Sequence, residues 1–405
     1  MKKILQNMMY IVSFAIVIAV IVALVRTGQT APTQGEDGGD QTTSEQQGSV
    51  QEEGGQTQAD TQTEGQTQSA GTEWEEQQTK PEEPKEPETG EEPKGDTTIL
   101  FAGDVLFANA FQAGYDANGI AGVISDELLA EIQAADIFMV NNEFPFSEQG
   151  EPMPDKQYTF RCSPSYVKAL TEMGVDVVSL ANNHVLDYGK AALSDTFAAL
   201  DQAGILYGGA GETTERAEQV QIIEINGRKY GFLAVSRVVP TGDWKVENSA
   251  PGVFSCYDDT RLVEVVEQAA QECDFLAVYP HWGVEYAAYP EDYQAKIAEN
   301  CLAAGADVVV GSHTHCLQGS AYLGDKPVFY SLGNFVFGQT IDRSALLKVT
   351  VTEQGEISYR YLPVYAEGGV THLAKDAKAK EICNYLAQIS PGASVSEDGT
   401  VTKKN

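Results

Sequence analysis

The chain has 405 residues, with 59 Asp and Glu against 26 Lys and Arg and a net charge of −33. That length accommodates one large domain, or two small ones with appendages. The acidic balance argues against nucleic acid as a partner and opposes bulk attraction to any polyanion.

The charge is unevenly placed. Residues 1–26 begin Met1-Lys2-Lys3, continue through an uncharged apolar run from Met8 to Val25, and end at Arg26. The run is close to the length needed to cross a bilayer, and Lys2 and Lys3 predict a cytoplasmic N-terminus. Val25-Arg26-Thr27-Gly28 does not fit a small-x-small cleavage site, and no cysteine follows for a lipid anchor. The segment therefore reads as an uncleaved transmembrane signal-anchor, with the rest of the chain extracytoplasmic. Residues 27–96 hold 18 acids and three bases among Gln, Thr, Gly and Pro. So few large apolar side chains cannot offset the entropy of ordering. A disordered acidic linker is expected, reaching on the order of 50 Å as a coil.

Residues 97–390 are predicted to fold, leaving 391–405 as a polar tail. A strand from Thr97 to Ala102 runs into Gly103-Asp104. Ser125 offers an N-cap for a helix to about Ala135. The strand Asp136–Val140 ends in Asn141-Asn142-Glu143. Ser163-Pro164 opens a helix closing near Gly174, and the strand from Val175 ends in Ala181-Asn182-Asn183-His184. A helix over 190–203 stops at Gly204, followed by a short strand at 205–207. Asn226-Gly227 marks a hairpin between 221–225 and 229–236. A helix from Asp259 to about Cys273 precedes the strand Phe275–Tyr279, which ends at His281. The helix 290–304 leads to the β-branched run Ala306–Val310 and then Gly311-Ser312-His313-Thr314-His315. Strands at 328–335, 345–351 and 357–364 and a helix over 375–389 complete the domain. The succession is α/β with mixed sheets.

Strand after strand ends in a group able to bind a metal. The series is Asp104, Glu143, Asn183 with His184, His281, and His313 with His315. Four of the five histidines belong to it; His372 reads as a surface residue. Such endings converge on one edge of an open α/β sheet. In an extended segment His313 and His315 would point the same way. Imidazoles with carboxylate and carboxamide oxygens suit Zn, Mn or Fe better than Mg or Ca. Glu143 could bridge two such ions, which together stabilise attacking and leaving oxygens. His184 could protonate a leaving group. The six cysteines have no CxxC spacing, which argues against a zinc–thiolate site, and Cys316 should alternate away from His315.

Arg161 is a candidate for binding an anionic substrate group, and Asn334 for contacting substrate or capping its turn. Asp187 and Glu285 are candidates for orienting the histidines.

Six pieces resemble the bacterial capsule-synthesis proteins of the CapA, poly-γ-glutamate-associated type. They are Gly103-Asp104-Val105, Asn142-Glu143-Phe144-Pro145, the run Ala181 to Gly189, His281-Trp282-Gly283-Val284-Glu285-Tyr286, Gly311 to His315, and Ser331-Leu332-Gly333-Asn334-Phe335. The resemblance implies a calcineurin-like metallophosphatase fold, a four-layer sandwich of two mixed sheets flanked by helices. It implies one or two divalent transition metal ions held by Asp104, Glu143, Asn183, His281, His313 and His315, with His184 as the acid. It also implies a cell-surface protein whose partners are the capsule polymer or its precursor and membrane capsule-synthase subunits. The pattern departs at Leu106, where metallophosphatases usually carry a histidine. Two functions stay open: a metal-dependent hydrolase of a phosphoester or polymer linkage, and a non-catalytic module for polymer assembly or export.

Overall fold

The computed structural model describes residues 95–247 and 250–404. The expected signal-anchor, and the linker as far as residue 94, lie outside the described residues. Among the described residues no helix is long and apolar enough to cross a membrane.

The chain opens with a β-α succession: β1 (Thr97–Val105), α1 (Asn109–Asn118), α2 (Asp126–Gln133), β2 (Ile137–Asn142), α3 (Val167–Met173), β3 (Val177–Ser179), α4 (Lys190–Ala203) and β4 (Leu206–Gly208). These four strands lie side by side and parallel. The helix ends follow local chemistry. Ser125 Oγ caps α2 by accepting from Leu128 N, and Gly174 and Gly204 close α3 and α4 in the left-handed conformation.

Next come β5 (Ala210–Gly211), the one-turn α5 (Thr214–Ala217), β6 (Gln221–Ile225), β7 (Arg228–Ser236), β8 (Gly252–Val253), α6 (Thr260–Ala269), β9 (Phe275–His281) and α7 (Asp292–Ala304). Then follow β10 (Val308–Val310), β11 (Leu317–Leu323), β12 (Lys326–Leu332), β13 (Asn334–Val336), β14 (Ile341–Val351), β15 (Ile357–Glu367), β16 (Val370–Leu373), α8 (Asp376–Ile389), β17 (Ala393–Val395) and β18 (Thr400–Lys403). Asn226 and Gly227 join β6 to β7 with φ of 54° and 75°, as a tight hairpin turn requires.

One sheet has the order β17-β18-β15-β14-β1-β2-β3-β4, with β13 also beside β1 and β16 beside β15. The other runs β11-β12-β10-β9-β7-β6. Both mix parallel and antiparallel pairs. The sheets face each other: Phe101 packs 6.0 Å from Phe232, Phe329 lies 5.4 Å from Tyr361, and Tyr279 Oη donates to Ala102 O at 2.6 Å. β9 shows why its sequence is continuously apolar. Phe275, Ala277 and Tyr279 join the core between the sheets, whereas Leu276 and Val278 pack with Leu262, Val266 and Ile297 of α6 and α7. Each large apolar side chain so buried contributes about 1.5–3 kcal/mol.

Two stretches differ from expectation. Helix α1 has no side-chain cap and a glycine within it; it is held instead by stacking of Phe107 on Phe111 at 3.7 Å and of Phe111 on Tyr115 at 5.8 Å. Packing, not propensity, forms it. The stretch expected as a tail from residue 391 is not one as far as residue 404. β18 pairs with β15 through Tyr359 and Val401, and Val401 is buried. Polar Ser and Thr along these strands conceal their one apolar face.

Candidate metal centre

The C-terminal ends of β1, β2 and β9, with the loops after β3 and β10, bring the strand-end residues together. β1 reaches the site by close backbone approach. A Cβ on Gly103 would lie 1.8 Å from Gly333 O, and the next residue, Asp104, donates its N–H to that carbonyl at 3.0 Å. Only glycine fits there.

Two groups of ligand atoms share Glu143. In one, Glu143, His281 and His313 bring their atoms within 4.8 Å of one another; in the other, Asp104, Glu143 and His315 do so. His281 Nε2 is 3.6 Å from Glu143 Oε1, and His315 Nδ1 is 3.4 Å from Asp104 Oδ2 and 4.0 Å from Glu143 Oε2. The gaps of 3.6 and 4.0 Å are too long for hydrogen bonds. Ligands about 2.1 Å from one tetrahedral ion would stand about 3.4 Å apart. Asn183 Oδ1 reaches the same place, 2.8 Å from His281 Nε2.

The residues fit a metal. Glu143 is 1% exposed, yet among the described residues neither carboxylate oxygen has a hydrogen-bond partner, nor does the buried His313 Nδ1. Buried acceptors are left bare only at a cost, which a cation would offset. Burial, and then Asp104, push the Glu143 carboxyl well above its usual range, with His315 opposing. Burial and the neighbouring His313 hold His281 well below the usual imidazole range, and burial lowers His313 to about 4 against the pull of Asp104. At His315 burial opposes the charged form, but Glu143 and Asp104 outweigh it and raise the ring to about 10. A positive charge is what the two carboxylates demand.

His184 stands beside this group. Its Nδ1 lies 2.8 Å from Asp187 Oδ2, and its ring packs 4.8 Å from Phe160. Burial lowers its pKa, with Asp187 opposing. Asp187 thus stands within hydrogen-bond reach of the His184 ring. Asn182 builds the turn: its Oδ1 accepts from the N–H groups of His184 and Val185, and its Nδ2 donates to Asn141 Oδ1 and Asn142 O.

Several expectations are corrected. His313 and His315 do not lie in an extended segment; their φ angles are 97° and 55°. They reach the centre by a strained turn and fall in different ligand groups. Glu285 is exposed and has no hydrogen bond to a histidine among the described contacts. Gly283 and Tyr286, both at positive φ, turn that loop outward, and Ser312 Oγ and Asn141 Nδ2 flank His281 Nδ1 instead, at 3.1 and 3.3 Å. Asn334 places its Oδ1 2.8 Å from His315 Nδ1, the nitrogen that also faces Asp104 and Glu143, so it meets the centre at that ring.

Arg161 is apart from the ligand groups. Its Nη1 donates to Gln149 O and Gly150 O, and its guanidinium lies 4.2 Å from the Tyr188 ring. With Leu106, Phe107, Phe144, Phe160 and Tyr188 it lines a cleft of about 440 Å³. Leu106 is buried, and its backbone N–H donates to Val336 O. Cys316 Sγ turns toward Ala287 O, away from both ligand groups. Lys156 had no signal in the sequence, because a lone lysine in a polar loop is indistinguishable from a solvated one. Its Nζ donates to Asn183 O and to Asp187 Oδ1 and lies 3.1 Å from His184 Nδ1.

Residues 98–339 match the family model for the bacterial capsule synthesis protein PGA_cap. The chain belongs to this family. It is similar to the PGA biosynthesis protein CapA of Bacillus subtilis (strain 168), at 29% identity over 309 residues, 75% of this chain and 80% of that protein. It is 32% identical over 221 residues to the capsule biosynthesis protein CapA of Bacillus anthracis, covering 53% of this chain and 54% of that protein. Among solved structures, the NAD nucleotidase of Haemophilus influenzae aligns at 12% identity and a TM-score of 0.40, over 72% of this chain and 60% of that one; a likeness so slight carries no argument. The candidate ligand residues Asp104, Glu143, Asn183, His281, His313 and His315 all lie inside the PGA_cap match, as does Lys156.

Proposed function

We propose that this PGA_cap protein is a membrane-anchored, extracytoplasmic metal-dependent hydrolase. On this reading its scaffold is a metallophosphatase-type sandwich, and its substrate is a phosphoester or an amide or ester linkage of a capsule polymer. The observation that carries the reading is the pair of ligand groups sharing Glu143, whose buried oxygens lack partners among the described residues. Asp104, Glu143, Asn183, His281, His313 and His315 would hold one or two divalent ions of Mn, Zn or Fe. Such an ion supplies Lewis-acid polarisation and an activated water. Asp187 holds the His184 ring so that its far nitrogen can pass a proton to the departing atom. The cleft beside Arg161 receives an anionic part of the substrate. The uncharged run after Lys2 and Lys3 supports the anchor.

Purified residues 97–405 are expected to contain transition metal and to hydrolyse one member of a phosphoester and γ-glutamyl panel. His184→Ala should retain the metal and lose about 10²–10⁴-fold in turnover; unchanged turnover would remove His184 from the mechanism.

Leu106 favours a second reading, in which the domain assists polymer assembly or export without catalysis and partners the polymer or its synthase. The position two residues after Asp104 offers only a buried aliphatic side chain. Restoration of export by soluble residues 97–405 alone would exclude an anchored scaffold.

A further inference from the structure

Lys156 lies on the loop between β2 and α3, and its side chain is only 14% exposed. The loop crosses the turn over residues 182–188 and is tied to it repeatedly. Met153 N donates to Asp187 O at 2.7 Å, Phe160 N donates to Asp187 Oδ2 at 2.7 Å, and Arg161 stacks on Tyr188. Lys156 is the tie that enters the site. Its ammonium donates to the Asn183 carbonyl and to Asp187 Oδ1, with the Trp244 ring 5.0 Å away.

The bonds of Asp187 explain what this ammonium does. Oδ2 serves both His184 Nδ1 and Phe160 N, whereas Oδ1 has Lys156. Asp187 is fully buried. Without Lys156 one oxygen would lose its charged partner, and the carboxylate could swing away from the imidazole. The other ties of the loop do not reach that oxygen.

We propose that Lys156 is a positioning residue: it latches the 150–161 loop onto the turn over residues 182–188 and, through Asp187, fixes the ring of His184. Its part in turnover rests on the hydrolase reading; its part in holding the ring does not.

The test uses the full-length chain in detergent, labelled with ¹⁵N-histidine. The Nδ1 proton of His184 is assigned by its loss in His184→Ala. In wild type it should resonate as a strongly hydrogen-bonded proton. In Lys156→Met it should move toward the position of free imidazole or broaden by exchange, as in Asp187→Asn, and the double variant should go no further. Metal content and KM should stay at wild-type values while kcat falls about tenfold. An unchanged His184 signal in a folded Lys156→Met protein overturns the proposal. Should that variant fail to fold, Lys156→Arg decides: retention of the signal supports the latch, and its loss at a wild-type melting temperature overturns it. A wild-type chain without turnover would sink the hydrolase reading alone, since the signal is read without activity.

Discussion

At the scale of single residues, Glu143 concentrates the electrostatic demand of the centre. It is buried, close to Asp104, and its two oxygens have no donors among the described residues. A carboxylate so placed is costly unless a cation completes it. Glu143→Gln keeps the shape and removes the charge shared by both ligand groups. Metal affinity is expected to fall by about 10²-fold or more, read as metal content after dialysis of the purified protein. Wild-type metal content in this variant would mean that Glu143 does not bridge. His313 and His315 add backbone strain of about 1–3 kcal/mol each, tolerated because their turn is enclosed by Asp104, to which His313 N donates at 3.3 Å, and by Asn334.

At the scale of elements, the crossing of β1 and the Gly333 turn sets the site. Asp104 sits where it does because its N–H and the Gly333 carbonyl meet over Gly103. Gly103→Ala would force that carbonyl away. It should cost about 3 kcal/mol or more and release metal with it, measured by denaturant unfolding and metal analysis of the same sample. A variant of wild-type stability would refute this account of the crossing. The C-terminal hairpin makes a second case. Removal of 391–405 takes β17 and β18 from the first sheet and exposes the face that Val401 covers. A loss of about 2 kcal/mol or more is expected, seen as a lower urea midpoint; a true tail would be removable without effect.

At the scale of the whole molecule, the ligands come from both sheets. Asp104 and Glu143 belong to β1 and the end of β2 in one; His281 ends β9, and His313 and His315 follow β10, in the other. A bound cation therefore ties the two halves of the sandwich together. Chelation should lower the melting temperature by about 5 °C or more, from linkage of about 2.7 kcal/mol at a hundredfold excess of metal over Kd. Restoration on adding Mn or Zn, followed by calorimetry, checks it; indifference to chelator would argue that no ion bridges the sheets.

The sequence by itself determined the kind of fold and the candidate donors. Apolar runs ending in Asp104, Glu143, Asn183 and His281 are local patterns, and a βα succession sends such ends to one edge. Turn chemistry was equally local, so the Asn226-Gly227 hairpin and the Gly174 and Gly204 helix ends were legible. Tertiary structure alone decided which candidate donors stand together, because His313 and His315 are separated by backbone angles that spacing does not reveal. It assigned Asn334 to His315, left Glu285 outside, and brought Lys156 to Asp187 across 31 residues of chain. It also turned the polar end of the chain into two strands. Hydrogen bonds and packing between segments distant in sequence leave no periodic trace in either one, and the positions that finish the centre depend on them.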